Sequence, residues 1–181
     1  MARIDPLRSS DDPVGQKIIE GARSTGSASP ANLFGTLAYH PDLSRRALRL
    51  GRVFLFEGTL DPRVREIAIL RTAWRTEAEY EWGQHTLLGR EVGLDDRHIT
   101  ELRTPALVGE WTDHERAVVD AVDELCAHDK ISQDTWIALA ATWAEPELVE
   151  LTLLVGYYRM LAGLMNSVEV ELDEGVPGWT G

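Results

Sequence analysis

Apolar side chains recur at helical spacing along most of the chain. Leu43, Ala47, Leu50 and Phe54 lie three or four residues apart, which places them on one face of an α-helix. Half-buried strands instead alternate apolar and polar residues, and no segment sustains that alternation. The pattern therefore predicts an all-α protein without a sheet.

Turn and capping signals divide the pattern into separate helices. Asp61 followed by Pro62 is typical of a helix start, because Asp caps free amides and proline is tolerated in the first turn. Thr76 followed by Glu79 has the spacing of a capping box, which predicts another helix start. Gly93 is typical of the position just after a helix end. The predicted helices span 14–22, 32–39, 42–57, 62–75, 77–91, 95–102, 113–128, 132–143 and 145–168.

The composition divides the chain into three parts. Residues 1–30 are polar and proline-containing around one short helix and predict an N-terminal arm. Residues 31–170 hold the other helices and predict a single helical domain. Residues 171–181 are rich in Gly, Pro and acidic residues, which predicts a loose tail. Within the domain, 63–70 weakly resembles 147–154, which suggests two related helical halves.

Charge and cysteine content exclude several classes of function. The formal net charge of −12 over 181 residues argues against nucleic acid, since phosphate binding relies on clustered Lys and Arg. The same charge disfavours anionic membranes. Cys126 is the one cysteine, so neither an intrachain disulfide nor a multi-cysteine zinc site is possible. The chain begins without a signal-peptide pattern, and we expect a cytoplasmic location.

Three polar residues of the two helices around Thr76 are candidates for chemistry. Glu81 and His85 are four residues apart and share a helix face, about 6 Å apart along the axis. Glu66 lies ten residues before Thr76 and His85 nine after it. An antiparallel hairpin about Thr76 would therefore bring Glu66 and His85 to nearly the same depth.

Such a cluster of two carboxylates and an imidazole suits proton transfer. A carboxylate that bonds one imidazole nitrogen fixes its tautomer and leaves the other nitrogen free to exchange a proton. A second carboxylate in a poorly solvated cleft has a raised pKa and can act as the acid. The cluster therefore favours enolisation, proton transfer next to a carbonyl, or decarboxylation through an enolate.

The same residues resemble a known family. The stretches Arg65-Glu-Ile-Ala-Ile-Leu70 and Glu79-Tyr-Glu-Trp-Gly-Gln-His85 resemble the carboxymuconolactone decarboxylase and AhpD-like superfamily. Gly93-Leu94, His40-Pro41 and Gly58-Thr-Leu-Asp-Pro62 add to the resemblance. It implies an AhpD-like helical bundle with a central helix hairpin. It also implies a homo-oligomer, a trimer or hexamer, with sites near subunit contacts.

One departure from the peroxidase branch of that superfamily bears on function. There the motif contains Cys-x-x-Cys between the glutamate and the histidine, and the two thiols carry out the redox cycle. In this chain Ala78 and Glu81 stand at the cysteine positions. The resemblance therefore indicates a branch without thiol peroxidase chemistry.

We expect a carboxymuconolactone decarboxylase-like lyase or isomerase acting on a small lactone or carbonyl acid without a cofactor. Glu66, Glu81 and His85 are its predicted catalytic residues. Tyr80 and His40 are candidate substrate contacts. Two alternatives remain: a metal-dependent enzyme that uses the same three side chains as ligands, and a non-catalytic oligomeric binding protein of the same fold.

Other polar residues have simpler interpretations. Arg63 lies three residues before Glu66, so a surface ion pair between them is plausible. Arg71 is rotated about 140° from Glu66 around the helix and is interpreted as an oligomer contact. Tyr157 and Tyr158 belong to the last long helix, which is expected to pack against the hairpin.

Overall fold

The computed structural model describes residues 1–22 and 29–179. It confirms the all-α prediction, since the described residues form α-helices and contain no strand. The helices are α1 (Pro13–Ala22), α2 (Ala31–Leu37), α3 (Pro41–Arg52), α4 (Pro62–Arg75), α5 (Glu79–Glu91), α6 (Asp96–Glu101), α7 (Asp113–His128), α8 (Gln133–Ala140) and α9 (Glu145–Val168).

Helix α4 is the centre of the bundle. It packs against α5, α7 and α9, so its side chains are buried on nearly every side. Ile67, Ala68, Ile69 and Leu70 are completely buried. A helix covered all round lacks the one-sided apolar pattern of a surface helix. Any polar residue in this stretch therefore needs a specific partner.

The α4–α5 hairpin is built from local signals that the sequence shows only in part. The carboxylate of Asp61 accepts hydrogen bonds from the amides of Arg63 and Val64, which confirms the predicted helix start. The predicted capping box at Thr76 is wrong. The Thr76 hydroxyl donates instead to the carbonyl of Thr72, and Ala78 precedes α5 without a side-chain cap.

The helix predicted over 42–57 changes character near its end. The regular α-helix α3 stops at Arg52, and Val53–Glu57 form a π-helical turn. Such turns are rare and are often found at functional sites. Phe54 of this turn is buried against Tyr157, with ring centroids 5.5 Å apart. The turn therefore lies between α3 and the interior face of α9.

Helix α9 is long and apolar enough to cross a membrane by length and composition alone. Half of its apolar segment is buried inside the protein, and it packs against α4, α7 and α8. Its inward face includes the buried residues Leu151, Leu154, Tyr158 and Leu161. These contacts identify α9 as a core helix of the bundle.

The tail predicted to be loose is packed in this structure up to Trp179. Asp173 accepts hydrogen bonds from the amide of Asn32 and from the side chains of Tyr80 and Gln84. The indole of Trp179 packs against Trp82, with ring centroids 5.4 Å apart. The content of Gly, Pro and acidic residues predicted a tail without fixed structure. The contacts of the Asp173 carboxylate and the Trp179 indole instead hold the tail against the helical bundle.

The N-terminal arm is also tied to the bundle. The amide of Arg3 donates to the carbonyl of Val168 over 2.8 Å, and the amide of Leu7 donates to that of Gly35. Part of the arm, residues 23–28, lies outside the described residues. The division of the chain into an N-terminal arm, one helical domain and a C-terminal tail stays a prediction.

Candidate functional site

The hairpin brings Glu66 of α4 and His85 of α5 together. The Nδ1 atom of His85 lies 2.7 Å from Oε2 of Glu66, which is a strong hydrogen bond by length. Glu66 is completely buried and His85 is 7% exposed. The equal depth expected from the spacing about Thr76 is therefore found in the structure.

Glu66 has a second partner that the sequence did not suggest. The Nε atom of Arg65 donates to Oε1 of Glu66 over 3.0 Å. The expected pair between Arg63 and Glu66 is absent among the described contacts, because Arg63 instead binds Glu115 and the carbonyl of Gly93. Glu66 therefore sits between one guanidinium and one imidazole.

These two partners determine the charge of Glu66. Burial is the largest influence and raises the pKa of its carboxyl, but His85 and Arg65 together more than offset it, so the pKa is lowered. Glu66 is therefore ionised at neutral pH and can only accept hydrogen bonds. It follows that Nδ1 of His85 donates. No protein group within the described part of the chain bonds to Nε2 of His85, which leaves that nitrogen free for a substrate.

Glu81 has the opposite environment. Its side chain is buried, and neither carboxyl oxygen has a hydrogen-bond partner among the described residues. Burial raises the pKa of this carboxyl well above its usual range. This environment favours the neutral form of Glu81. An unpartnered buried polar group costs about 1–3 kcal/mol, so its presence calls for an explanation.

Two tyrosines of α9 complete the surroundings. The ring of Tyr158 meets the imidazole of His85 edge-on, with centroids 5.0 Å apart and an interplanar angle of 88°. Burial, followed by the charge of Glu66 and by that of Glu81 once it ionises at higher pH, raises the pKa of Tyr158. Tyr157 lies beside Tyr158, and burial together with Glu81 raises the pKa of Tyr157 to about 12. Both phenols therefore stay protonated.

Two neighbours of the Glu66–His85 pair were not predicted as such from the sequence: Tyr158, which was expected only to pack against the hairpin, and Arg65. The signal for Tyr158 was its place on the apolar face of a helix expected to cover the hairpin. The signal for Arg65 was its position next to Glu66, but neighbours along a helix do not usually face each other. Here the guanidinium reaches back to its neighbour and also to the carbonyl of Leu55.

Tyr80 and His40, the two candidate substrate contacts, are placed differently. The hydroxyl of Tyr80 donates to Asp173 and accepts from the amide of Leu33. That hydroxyl is thus used to hold the tail and α2. His40 is exposed and directly precedes α3, with no side-chain cap bond. Their roles as substrate contacts stay predictions.

Arg71 is a structural residue of the interior, and its interpretation as an oligomer contact is wrong. It is 1% exposed. Its guanidinium forms a two-pronged ion pair with Asp123, with N–O distances of 2.7 and 2.6 Å. It also donates to the carbonyls of Leu102 and Thr104. Arg71 thereby fastens α4 to α7 and to the segment after α6.

The arrangement of Glu66, Glu81 and His85 can be compared with that of a metal site. Within residues 1–22 and 29–179, no group of three His, Cys, Asp or Glu side chains is arranged to hold a metal ion. Glu66 and His85 instead bind each other. These two side chains are thus each other's hydrogen-bond partners in this structure.

Comparison with known families agrees with the geometry. The sequence model of the carboxymuconolactone decarboxylase family matches residues 41–124, which include α4, α5, Glu66, Glu81 and His85. This segment of the chain therefore matches the carboxymuconolactone decarboxylase family. Among curated proteins, no sequence matches this chain.

Several solved structures share the fold of this chain. An uncharacterised peroxidase-related protein from Silicibacter sp. has a TM-score of 0.82 at 13% identity, covering 97% of this chain and 93% of its own. A peroxidase-related protein from Ralstonia eutropha, described as an alkylhydroperoxidase AhpD core, has a TM-score of 0.81 at 18% identity. That match covers 96% of this chain and 93% of the other.

A third structure is a cysteine-to-alanine variant of the debrominase Bmp8 in complex with 2,3,4-tribromopyrrole. Its TM-score is 0.79 at 12% identity, with 94% of this chain and 91% of the debrominase covered. Identities this low show that the fold is AhpD-like. The present chain has one cysteine, Cys126, in α7 and half-buried, so it lacks the Cys-x-x-Cys pair.

Proposed function

We propose that this protein is a cofactor-independent acid–base enzyme, a lyase or isomerase acting on a small lactone or carbonyl acid, and not a thiol peroxidase. The observation that carries the proposal is Glu81. A buried, neutral and unpartnered carboxyl one helical turn from a histidine supplies an acid beside a base. Pairs of groups whose environments push their pKa values apart are typical of acid–base sites.

The roles follow from the protonation states. Nε2 of His85 removes a proton from the carbon next to the substrate carbonyl, and Glu81 donates its proton to the carbonyl oxygen as the enol forms. Glu66 stabilises the resulting imidazolium through Nδ1. In an isomerisation, His85 returns the proton to another carbon while the enol proton goes back to Glu81.

A decarboxylation uses the same groups with solvent as the net proton source. The bond to the carboxylate breaks, its electron pair forms an enolate, and carbon dioxide leaves. Glu81 protonates the enolate oxygen, which gives the enol. Protonated His85 then delivers a proton to carbon, Glu81 recovers its proton, and His85 takes up one from water. One proton is consumed for each carbon dioxide released.

The site is closed in the ligand-free chain. Both oxygens of Glu81 are buried, so the proposal requires that substrate binding uncover them. Motions of loops and domains that gate access to the reacting groups are common among enzymes. Exclusion of water would then strengthen the hydrogen bond from Glu81 to a developing enolate.

Deuterium incorporation tests the proposal. The protein is incubated in D₂O with carboxymuconolactone and with a series of β-keto and γ-lactone acids, and carbon-bound deuterium and carbon dioxide are measured. Wild-type protein should accelerate exchange or decarboxylation of at least one compound. His85→Ala should lose this activity, Glu81→Gln should lose most of it, and Glu91→Gln should keep it.

Two results would contradict the proposal. Full activity in His85→Ala would show that the imidazole is not the base. Absence of both reactions across the series with folded wild-type protein would favour the second candidate, a non-catalytic binding protein of the same fold. The burial of Glu66, Glu81 and His85 is the observation in favour of that candidate.

We also propose an assembly and a cellular location for this protein. The resemblance to the family supports a homo-oligomer, a trimer or hexamer, that meets a small-molecule substrate rather than nucleic acid or membrane. A cytoplasmic location is consistent with a half-buried α9.

A further inference from the structure

Arg65 makes two contacts that join the site to the π-helical turn. Its Nε donates to Oε1 of Glu66 over 3.0 Å, and its Nη1 donates to the carbonyl of Leu55 over 2.9 Å. The Arg65 side chain is 13% exposed. The guanidinium is therefore fixed at both ends rather than free in solvent.

We propose that Arg65 is a positioning residue that determines which nitrogen of His85 carries the proton, and that the π-helical turn Val53–Glu57 holds Arg65 in place for this purpose. Arg65 acts through Glu66 and does not itself contact His85. The value of this arrangement for catalysis rests on the proposed role of His85 as the base. The position of the proton can be measured without any substrate.

The reasoning begins with the charge of Glu66. A carboxylate can only accept, so an ionised Glu66 requires the proton to be on Nδ1 and leaves the lone pair on Nε2. A Glu66 that takes up one proton from solvent would instead donate to Nδ1, and the imidazole proton would then be on Nε2. In that state Nε2 has no lone pair with which to accept a substrate proton.

Arg65 favours the ionised form of the Glu66 carboxyl over the protonated form. Burial alone raises the pKa of Glu66, and only His85 and the Arg65 guanidinium oppose it. Without Arg65, one of the two opposing groups is lost and the carboxyl is still fully buried. The protonated form of Glu66 then gains, together with the Nε2–H form of His85.

The π-helical turn explains why Arg65 faces Glu66. Adjacent side chains on a regular helix point in different directions, so an unrestrained Arg65 would extend into solvent. The carbonyl of Leu55 is an acceptor presented by the turn, and it draws the guanidinium back over Glu66. The π-helical turn thus supplies the Leu55 carbonyl as a hydrogen-bond acceptor for the Arg65 side chain.

A second set of contacts links the same turn to the same histidine. The ring of Phe54 packs on Tyr157 with centroids 5.5 Å apart, and Tyr157 meets Tyr158 at 5.3 Å. Tyr158 then meets His85 at 5.0 Å. The turn thus supports His85 by a polar route through Arg65 and Glu66 and by an aromatic route through α9.

Side-chain ¹⁵N NMR of histidine tests the proposal directly, because its chemical shifts show which ring nitrogen bears the proton. The measurement uses ligand-free full-length protein above pH 7, with His85 assigned by comparison with His85→Gln. Wild-type protein should show the Nδ1–H form. Arg65→Met should reverse the ratio in favour of Nε2–H, and Arg65→Lys should restore most of the wild-type ratio.

A matched control separates this role from a merely structural one. Arg63 lies on the same helix and also forms a half-buried ion pair, with Glu115. Arg63→Met should lower stability but leave the proton of His85 on Nδ1. A wild-type proton position in Arg65→Met would overturn the proposal, and so would an Nε2–H form in the wild type.

A second variant keeps the test valid if Arg65→Met does not fold. In Glu66→Gln, Arg65 should bind the amide oxygen and turn the NH₂ group towards His85. Nδ1 must then accept, so the Nε2–H form should dominate. Retention of Nδ1–H in Glu66→Gln would overturn the proposal. Failure of the deuterium assay with these NMR results intact would reject the proposed enzyme function alone.

Discussion

The imidazole of His85 meets the ring of Tyr158 edge-on, with centroids 5.0 Å apart and planes at 88°. One residue belongs to α5 and the other to α9. Since Glu66 of α4 holds Nδ1, the orientation of His85 is fixed by two helices other than its own. A contact of this kind depends on the aromatic ring of Tyr158 rather than on its hydroxyl.

This relationship predicts different effects for two substitutions of Tyr158. Tyr158→Phe keeps the ring and should change the free energy of unfolding by less than about 1 kcal/mol. Tyr158→Ala removes a buried ring and should cost about 3–5 kcal/mol. Urea denaturation measures both. Equal losses in the two variants would show that the hydroxyl, rather than the ring, makes the important contact.

Glu81 should make stability depend on pH. Because its pKa is raised in the folded protein, the folded state holds this proton to higher pH than the unfolded chain, where a Glu carboxyl titrates near about 4.3. The free energy of unfolding should therefore fall as pH rises above that value. Glu66 acts oppositely, since its lowered pKa adds stability above the same value that is lost on acidification.

The variant Glu81→Gln isolates the first of these effects. It removes the titrating group while keeping the shape of the side chain, so stability between pH 5 and 8, roughly one to four units above the unfolded value, should decline less than in the wild type. Urea denaturation at several pH values checks this. Glu91→Gln, at an exposed position of the same helix, should keep the wild-type slope. An unchanged slope in Glu81→Gln would show that Glu81 is already ionised in the fold.

The ion pair between Arg71 and Asp123 should be important for folding. Asp123→Ala leaves a buried guanidinium without its carboxylate, which costs about 3–5 kcal/mol. Asp96→Ala removes an exposed pair with Arg90 and should cost less than about 1 kcal/mol. Thermal and urea denaturation compare the two variants. Similar small losses would show that Arg71 finds other partners or water.

The packed tail predicts an effect of Asp173. Its carboxylate accepts bonds from Asn32, Tyr80 and Gln84, so Asp173→Ala should leave buried donors unpaired and cost about 1–3 kcal/mol. Limited proteolysis should then cut near Trp179 sooner. Glu174→Ala, at an exposed neighbouring position, is the control. Unchanged proteolysis in Asp173→Ala would show that other contacts hold the tail.

Much of the fold could be predicted from local signals. Helix α7 begins where Thr112 and Glu115 form a capping box, and α4 begins at the capped Asp61. These signals involve residues close in sequence, whose geometry depends little on the rest of the chain. The pairing of Glu66 with His85 also followed from counting residues about a single turn.

The predictions that failed depended on backbone geometry or on distant contacts. Thr76 has the sequence of a helix cap, but Glu77 adopts a positive φ of 54°, and α5 begins two residues later. The tail has a loose composition, yet acceptors and aromatic surface far along the chain hold it. The isolation of Glu81 is likewise invisible in sequence, because it depends on which side chains of other helices surround it.

Carboxyl ¹³C NMR of glutamate-labelled protein tests the central claim most directly, since it reports the charge of each carboxyl group. Near pH 7 we predict one neutral glutamate signal that disappears in Glu81→Gln. The Glu66 signal, identified with Glu66→Gln, should be ionised and remain so well into the acid range. An ionised Glu81 at pH 7, or a neutral Glu66, would contradict the acid and base roles assigned to this site.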